Sequence, residues 1–191
     1  MRRLCRDQSG SVSIEVALTT LLMTLLTAGA VEAGWVLQQH SSAQTAARHG
    51  ARLAATLDPV SADLDQRAVA TSAFDVTCDG ARSVCTQGTF DTGRMQRIVY
   101  GPDGDGACAA ALRERRGMCD LYAALEPHHV SVRYASSGLA GANASNNPAP
   151  LITVTIARRP ARTVLLGPLL PRRFTHLPAT SATLMGEDLD G

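Results

Sequence analysis

The stretch that decides the fold runs from Arg6 to Trp35, RDQSGSVSIEVALTTLLMTLLTAGAVEAGW. Its centre, Val16 to Val31, carries no charge. As a helix it would rise roughly 24 Å. A bilayer core of roughly 30 Å calls for about 20 apolar residues. The run therefore reaches a spanning length only when its shoulders, Ile14 to Leu37, are included. Those shoulders contain Glu15 and Glu32, separated by about 26 Å of helix, so they are expected near opposite interfaces. Arg2, Arg3 and Arg6 precede the run. The excess of basic residues on that side predicts a cytoplasmic N-terminus and an extracytoplasmic remainder.

Three fates compete for such a segment. It can remain a plain signal anchor. It can be removed as a secretory signal, for which Ala28-x-Ala30 offers a cleavage site. Or the chain can be cut ahead of the apolar run, after Gly10. Glu15 distinguishes them, because a carboxylate at membrane depth is costly and marks function. A tether has no use for it. A cut after Gly10 makes Ser11 the new terminus, with an α-ammonium one helical turn above Glu15. The carboxylate can then pair with the ammonium of a neighbouring subunit, so that two costly charges are neutralised on assembly.

On these residues the chain resembles type IV prepilins, most closely the TadE-like pseudopilins of Flp/Tad-type pilus assembly systems. A short basic leader, Gly10, Glu15 at the fifth position after it and the apolar helix carry the resemblance. It implies that prepilin peptidase cuts between Gly10 and Ser11, and that Glu15 acts in assembly. Flp-type pilins place an aromatic after the glutamate. Val16 stands there in this chain, and the chain is far longer than the major pilin. Both features favour a minor pilin or pseudopilin over the main fibre subunit. The implied partners are the inner membrane, prepilin peptidase, other pilins or pseudopilins, and platform proteins with an assembly ATPase. The implied location is the bacterial inner membrane, single-pass, with a periplasmic head that can enter an extracellular pilus. The alternative is a signal-anchored or secreted extracytoplasmic binding domain unrelated to pili.

The expected fold is α+β and pilin-like: a leader at 1–10, a transmembrane half-helix at 11–37, its extracytoplasmic continuation at 38–57, and an α+β head at 58–191. In the continuation, Ala43, Ala47, Gly50, Ala54 and Leu57 recur at a 4-3-4-3 spacing, a face of small residues suited to close packing. Gly50 lowers helix propensity by about 1 kcal/mol against alanine, so packing must compensate. In the apolar half, Gly29/Ala33 and Ala30/Gly34 repeat the small-x3-small spacing. Asp58-Pro59 ends the helix. Short helices are expected from Ser61 as a cap, from Asp91 onward, and over 107–116. HVSVRYA and LITVTIA alternate apolar and polar residues as half-buried strands do. A polar loop joins them at 136–150, and TSATLMG supplies a further strand.

The cysteines bear on compartment. There are five: Cys5, Cys78, Cys85, Cys108 and Cys119. Removing the leader takes Cys5 away and leaves an even set, as an oxidising compartment favours. Their spacing suggests Cys78 with Cys85 and Cys108 with Cys119, although four cysteines allow three pairings.

The remaining composition argues against other classes. All 18 basic residues are arginine and the net charge is +1, which offers no electrostatic footprint for nucleic acid. Asp103, Asp105 and Glu114 imitate a calcium loop, but Cys108 occupies the position that needs glycine. His128 and His129 would face opposite sides of a strand, and His40 and His49 lie nine apart on a helix, away from ligand spacing. No nucleophile elbow, P-loop or dinucleotide fingerprint occurs. The expectation is a structural protein with no catalytic residue, cofactor or metal. A scattered extracytoplasmic site drawing on Asp103, Glu114, His128 and His176 is the enzymatic rival.

Overall fold

The computed structural model describes residues 9–64, 74–102, 106, 108, 116–123, 125–136, 150–163 and 176–185. The leader up to residue 8, most of the helices expected after Ser61 and over 107–116, the loop at 137–149, the calcium-like segment and the acidic tail lie outside them.

One helix, α1 (Ser9–Thr56), dominates the fold with 48 residues, a length of about 72 Å. Its sequence contains neither proline nor a cluster of turn formers, so nothing interrupts the hydrogen-bond ladder. Asp58 and Pro59 stop it where expected. Along its length α1 changes character. From Val12 to Thr27 every residue is exposed, including Leu18, Leu21, Leu22, Leu25 and Leu26. Beyond His40 the small-residue face is buried: Ala43, Ala46, Ala47, Ala51 and Ala54 lie in the core.

That face packs on an antiparallel sheet. The strands are β1 (Asp75–Asp79), β2 (Val84–Cys85), β3 (Val130–Ser136), β4 (Pro150–Ile156) and β7 (Thr180–Met185), in the order β2-β1-β3-β4-β7. A separate two-stranded ribbon joins β5 (Arg159–Pro160) to β6 (His176–Leu177). The registers Val76↔Tyr134↔Ile152 and Cys78↔Val132↔Val154 align the apolar positions on one face. All six side chains are buried, as alternation predicts for a half-covered sheet. α1 lies chiefly against β4 and β7. The opposite face carries Thr77, Arg133, Thr153 and Thr183 in one cross-strand row. There Arg133 holds Asp75 through two bonds of 2.7 and 2.6 Å, and the hydroxyls of Thr153 and Thr183 meet at 3.0 Å.

Two short helices close the core. In α2 (Thr92–Tyr100) the side chain of Asp91 caps the helix by accepting from Arg94 N–H, and Met95, Ile98 and Val99 point inward. In α3 (Met118–Leu121) Met118 is fully buried. A Cβ on Gly50 would overlap the Met118 thioether. The glycine therefore permits α3 to lie directly on α1, which is the packing compensation its low propensity demands.

Ser61, expected to cap a helix, instead pairs with Phe90 in an isolated bridge and donates its hydroxyl to the Gln87 carbonyl at 3.1 Å. That bond holds the exit of α1 against the segment before α2. His128 and His129, expected on opposite faces of a strand, occupy a 3-10 turn at Pro127–His129, with ring centroids 3.7 Å apart. Pro127 fixes φ at the first helical position and delays the strand to Val130.

Candidate assembly site on the N-terminal helix

The chemistry of interest is carried by the first turns of α1. Gly10 and Ser11 lie within its helical backbone. Glu15 is exposed, one turn further along. Its carbonyl accepts the Thr19 hydroxyl, while its carboxylate makes no ion pair or hydrogen bond with the described residues. The nearby threonines behave differently. Thr20, Thr24 and Thr27 return their hydroxyls to carbonyls three or four residues back, at 2.8–3.0 Å. Such back-bonding satisfies a hydroxyl inside a low-dielectric segment. Glu15 differs from them, because its carboxylate is an acceptor only and cannot return a proton to a helix carbonyl.

Glu32 provides the contrast. It is 3% exposed and has an interaction partner within the chain. Of the two acids that bracket the apolar run, the distal one is thus provided for within the chain, and the proximal one has no partner among the described residues. The helix is long and apolar enough to cross a membrane, and its most apolar window is not buried at all. A Cβ on Gly29 or Gly34 would meet nothing within 4 Å among the described residues.

The cysteines fall into local pairs in the structure. Cys78 and Cys85 are bonded across the β1–β2 hairpin, where they stand opposite one another with Cα atoms 4.0 Å apart. Cys108 is bonded to Cys119 of α3, with a Cα separation of 5.5 Å. The second bond ties the segment after α2 to the helix that rests on Gly50.

Of the residues weighed for an enzymatic site, Asp103 and Glu114 lie outside the described residues. His128 is 3.2 Å from Glu126, and His176 sits in β6. Among the described residues, no group of three or more His, Cys, Asp or Glu side chains is placed to hold a metal ion. Burial holds His129 below the usual histidine pKa of 6.5, with Arg159 and His128 acting in the same direction. Burial pushes the Tyr134 phenol up to about 12. Its oxygen accepts from Val60 N–H at 3.2 Å, a structural bond that closes the core beneath the end of α1.

Together these features define an α+β protein whose N-terminal helix is long and apolar enough to cross a membrane and carries a sheet-bearing head. Residues 10–52 match the family model described as TadE-like protein. The match begins at Gly10 and ends on the helix that carries the head, so over this stretch the chain is similar to TadE-like proteins, in agreement with the resemblance read from its glycine, glutamate and apolar helix. That similarity suggests involvement in a Tad/Flp-type pilus system. No curated protein and no solved structure matches it.

Proposed function

We propose that the protein is a minor pilin or pseudopilin that takes part in assembling Flp/Tad-type pili. Prepilin peptidase cuts after Gly10 on the cytoplasmic side and leaves α1 attached. The new α-ammonium on Ser11 is then presented to Glu15 of an adjacent subunit, while the disulfide-bonded head faces the periplasm. The stem supplies the lateral contact with other pilins, and platform proteins and an assembly ATPase supply the work. The chain performs no reaction of its own in this reading and needs no cofactor.

The observation that carries the proposal is the carboxylate of Glu15, exposed and unpaired among the described residues, on an otherwise lipid-compatible helix. An acidic residue costs about 2.5–3.5 kcal/mol at the centre of a membrane helix on insertion scales, and less toward the end of the span, where Glu15 stands. An intermolecular ammonium would offset that cost, which makes subunit docking the step that Glu15 favours. Glu15→Ala is expected to be inserted, trimmed and stable, yet to abolish piliation in cells. Normal pili on cells carrying this substitution would remove the assigned role.

A further inference from the structure

We propose that the cleft where α1 emerges from its apolar stem holds the headgroup of an anionic phospholipid from the leaflet on the head's side. The proposal rests on the membrane-anchored reading above. The cleft, about 220 Å³ in volume, lies between α1 and the end of α3 and is lined by Trp35, Gln39, Leu121, Tyr122 and Arg162 among others. Trp35 and Leu37 are 49% and 68% exposed, continuing the uncovered apolar surface of the stem up to the cleft. Trp35 stands about 6 Å beyond Val31, the last residue of the uncharged run. That is the level at which an indole sits in a bilayer interface.

Arg162 lines the cleft with the neutral polar groups of Gln38, Gln39 and Ser42, and Arg159 flanks it over Tyr122. Gln39 fixes the strand-like segment at Arg162 by two reciprocal bonds: its amide donates to the Arg162 carbonyl at 2.7 Å and accepts from Arg162 N–H at 2.9 Å. The Arg162 backbone is therefore held at the cleft whatever its side chain does. Arg159 lies over the Tyr122 ring at 5.4 Å, and its Nη1 is buried without a hydrogen-bond partner. Among the described residues, no acidic side chain lines the cleft. Glu126, 3.2 Å from His128, is the acidic group whose charge acts on Arg159. Two guanidinium groups, an exposed indole and an apolar wall at the edge of a membrane stem match a phosphodiester with its acyl chains running down the helix.

Trp35 is the sole tryptophan, so its fluorescence reports the cleft directly. The full chain would be reconstituted in vesicles of fixed phosphatidylcholine and phosphatidylglycerol content. Bromine would be placed on the acyl chains of phosphatidylglycerol in one set, and on an equal number of phosphatidylcholine molecules in the other. Stronger quenching by the brominated anionic lipid is expected, reflecting an enrichment of about fivefold per arginine engaged. The preference should disappear in the Arg159→Gln/Arg162→Gln double variant and persist in Arg162→Lys. Equal quenching by both lipids in the unaltered protein, or a preference that survives the double substitution, would overturn the assignment. Absence of quenching by either lipid would place Trp35 away from the bilayer and overturn the anchor itself, an outcome distinct from failure of the headgroup site alone.

Discussion

At the residue scale, Gly50 shows how a local penalty becomes legible as a contact. A glycine in mid-helix is unfavourable by about 1 kcal/mol, and in this protein the missing Cβ is the space that Met118 fills. Leucine would improve helix propensity, so its effect isolates the packing. Gly50→Leu is expected to destabilise the head by about 1–3 kcal/mol through overpacking. Adding Met118→Ala should recover part of that loss, because the two positions share one volume. Denaturant melts of the single and double variants give the comparison, and strict additivity would refute the contact. His129 supplies a pH dependence at the same scale. Burial keeps its folded pKa below the unfolded value of 6.5. The unfolded chain therefore takes up the proton first as the medium is acidified. The stabilising contribution is complete above 6.5 and is lost as pH falls from there toward the folded value. His129→Gln should flatten that limb of a stability–pH profile, whereas an unchanged limb would assign it to other groups.

At the scale of elements, the legible parts are those with a strong period. β3 and β4 follow from Val130, Val132 and Tyr134 and from Ile152, Val154 and Ile156, all buried as their alternation requires. β7 follows from TSATLM, and α2 begins at the capping Asp91 as the sequence indicates. The β1–β2 hairpin was not legible in the same way. Its inward positions are only Val76 and Cys78, too few for a period to declare itself. The Asp79-Gly80 turn signal between them and Cys85 was the available clue. Gly80 is also required sterically, since a Cβ there would run into the Pro127 and Val130 carbonyls. What holds this weak hairpin is the Cys78–Cys85 bond across it. Replacing both cysteines by alanine is expected to cost about 2–3 kcal/mol, the loop-closure value for so short a ring. Thermal unfolding checks this, and an unchanged midpoint would show that the hairpin is held by its packing alone. For the histidine pair the strand condition is not met for the opposite reason: a local constraint, Pro127, outweighs the strand pattern that follows it.

At the scale of the molecule, α1 is one helix with two environments. Its outer half is matched to the head by small residues buried against β4 and β7. Its inner half is left uncovered, with leucines outward and threonine hydroxyls folded back onto the helix. Such a surface is unstable in water and at home in lipid. Within it Glu15 is the one feature that lipid does not accommodate, and the apolar pattern alone made it visible. Among the described residues the head has no comparable signature: its core is a generic apolar one. The division of labour between stem and head is what makes the N-terminus decisive, because the same helix serves a tether, a secretory signal or a pilin depending on where the chain is cut.

That question is answered by the intact mass and N-terminal sequence of the protein extracted from membranes of cells that make it. A chain beginning at Ser11, lacking Cys5 and retaining the whole apolar stem, is the expected result and leaves Glu15 poised beside a free ammonium. A chain beginning at Val31, or one retaining Met1 through Gly10, would contradict the pilin account and identify a secreted or simply tethered head.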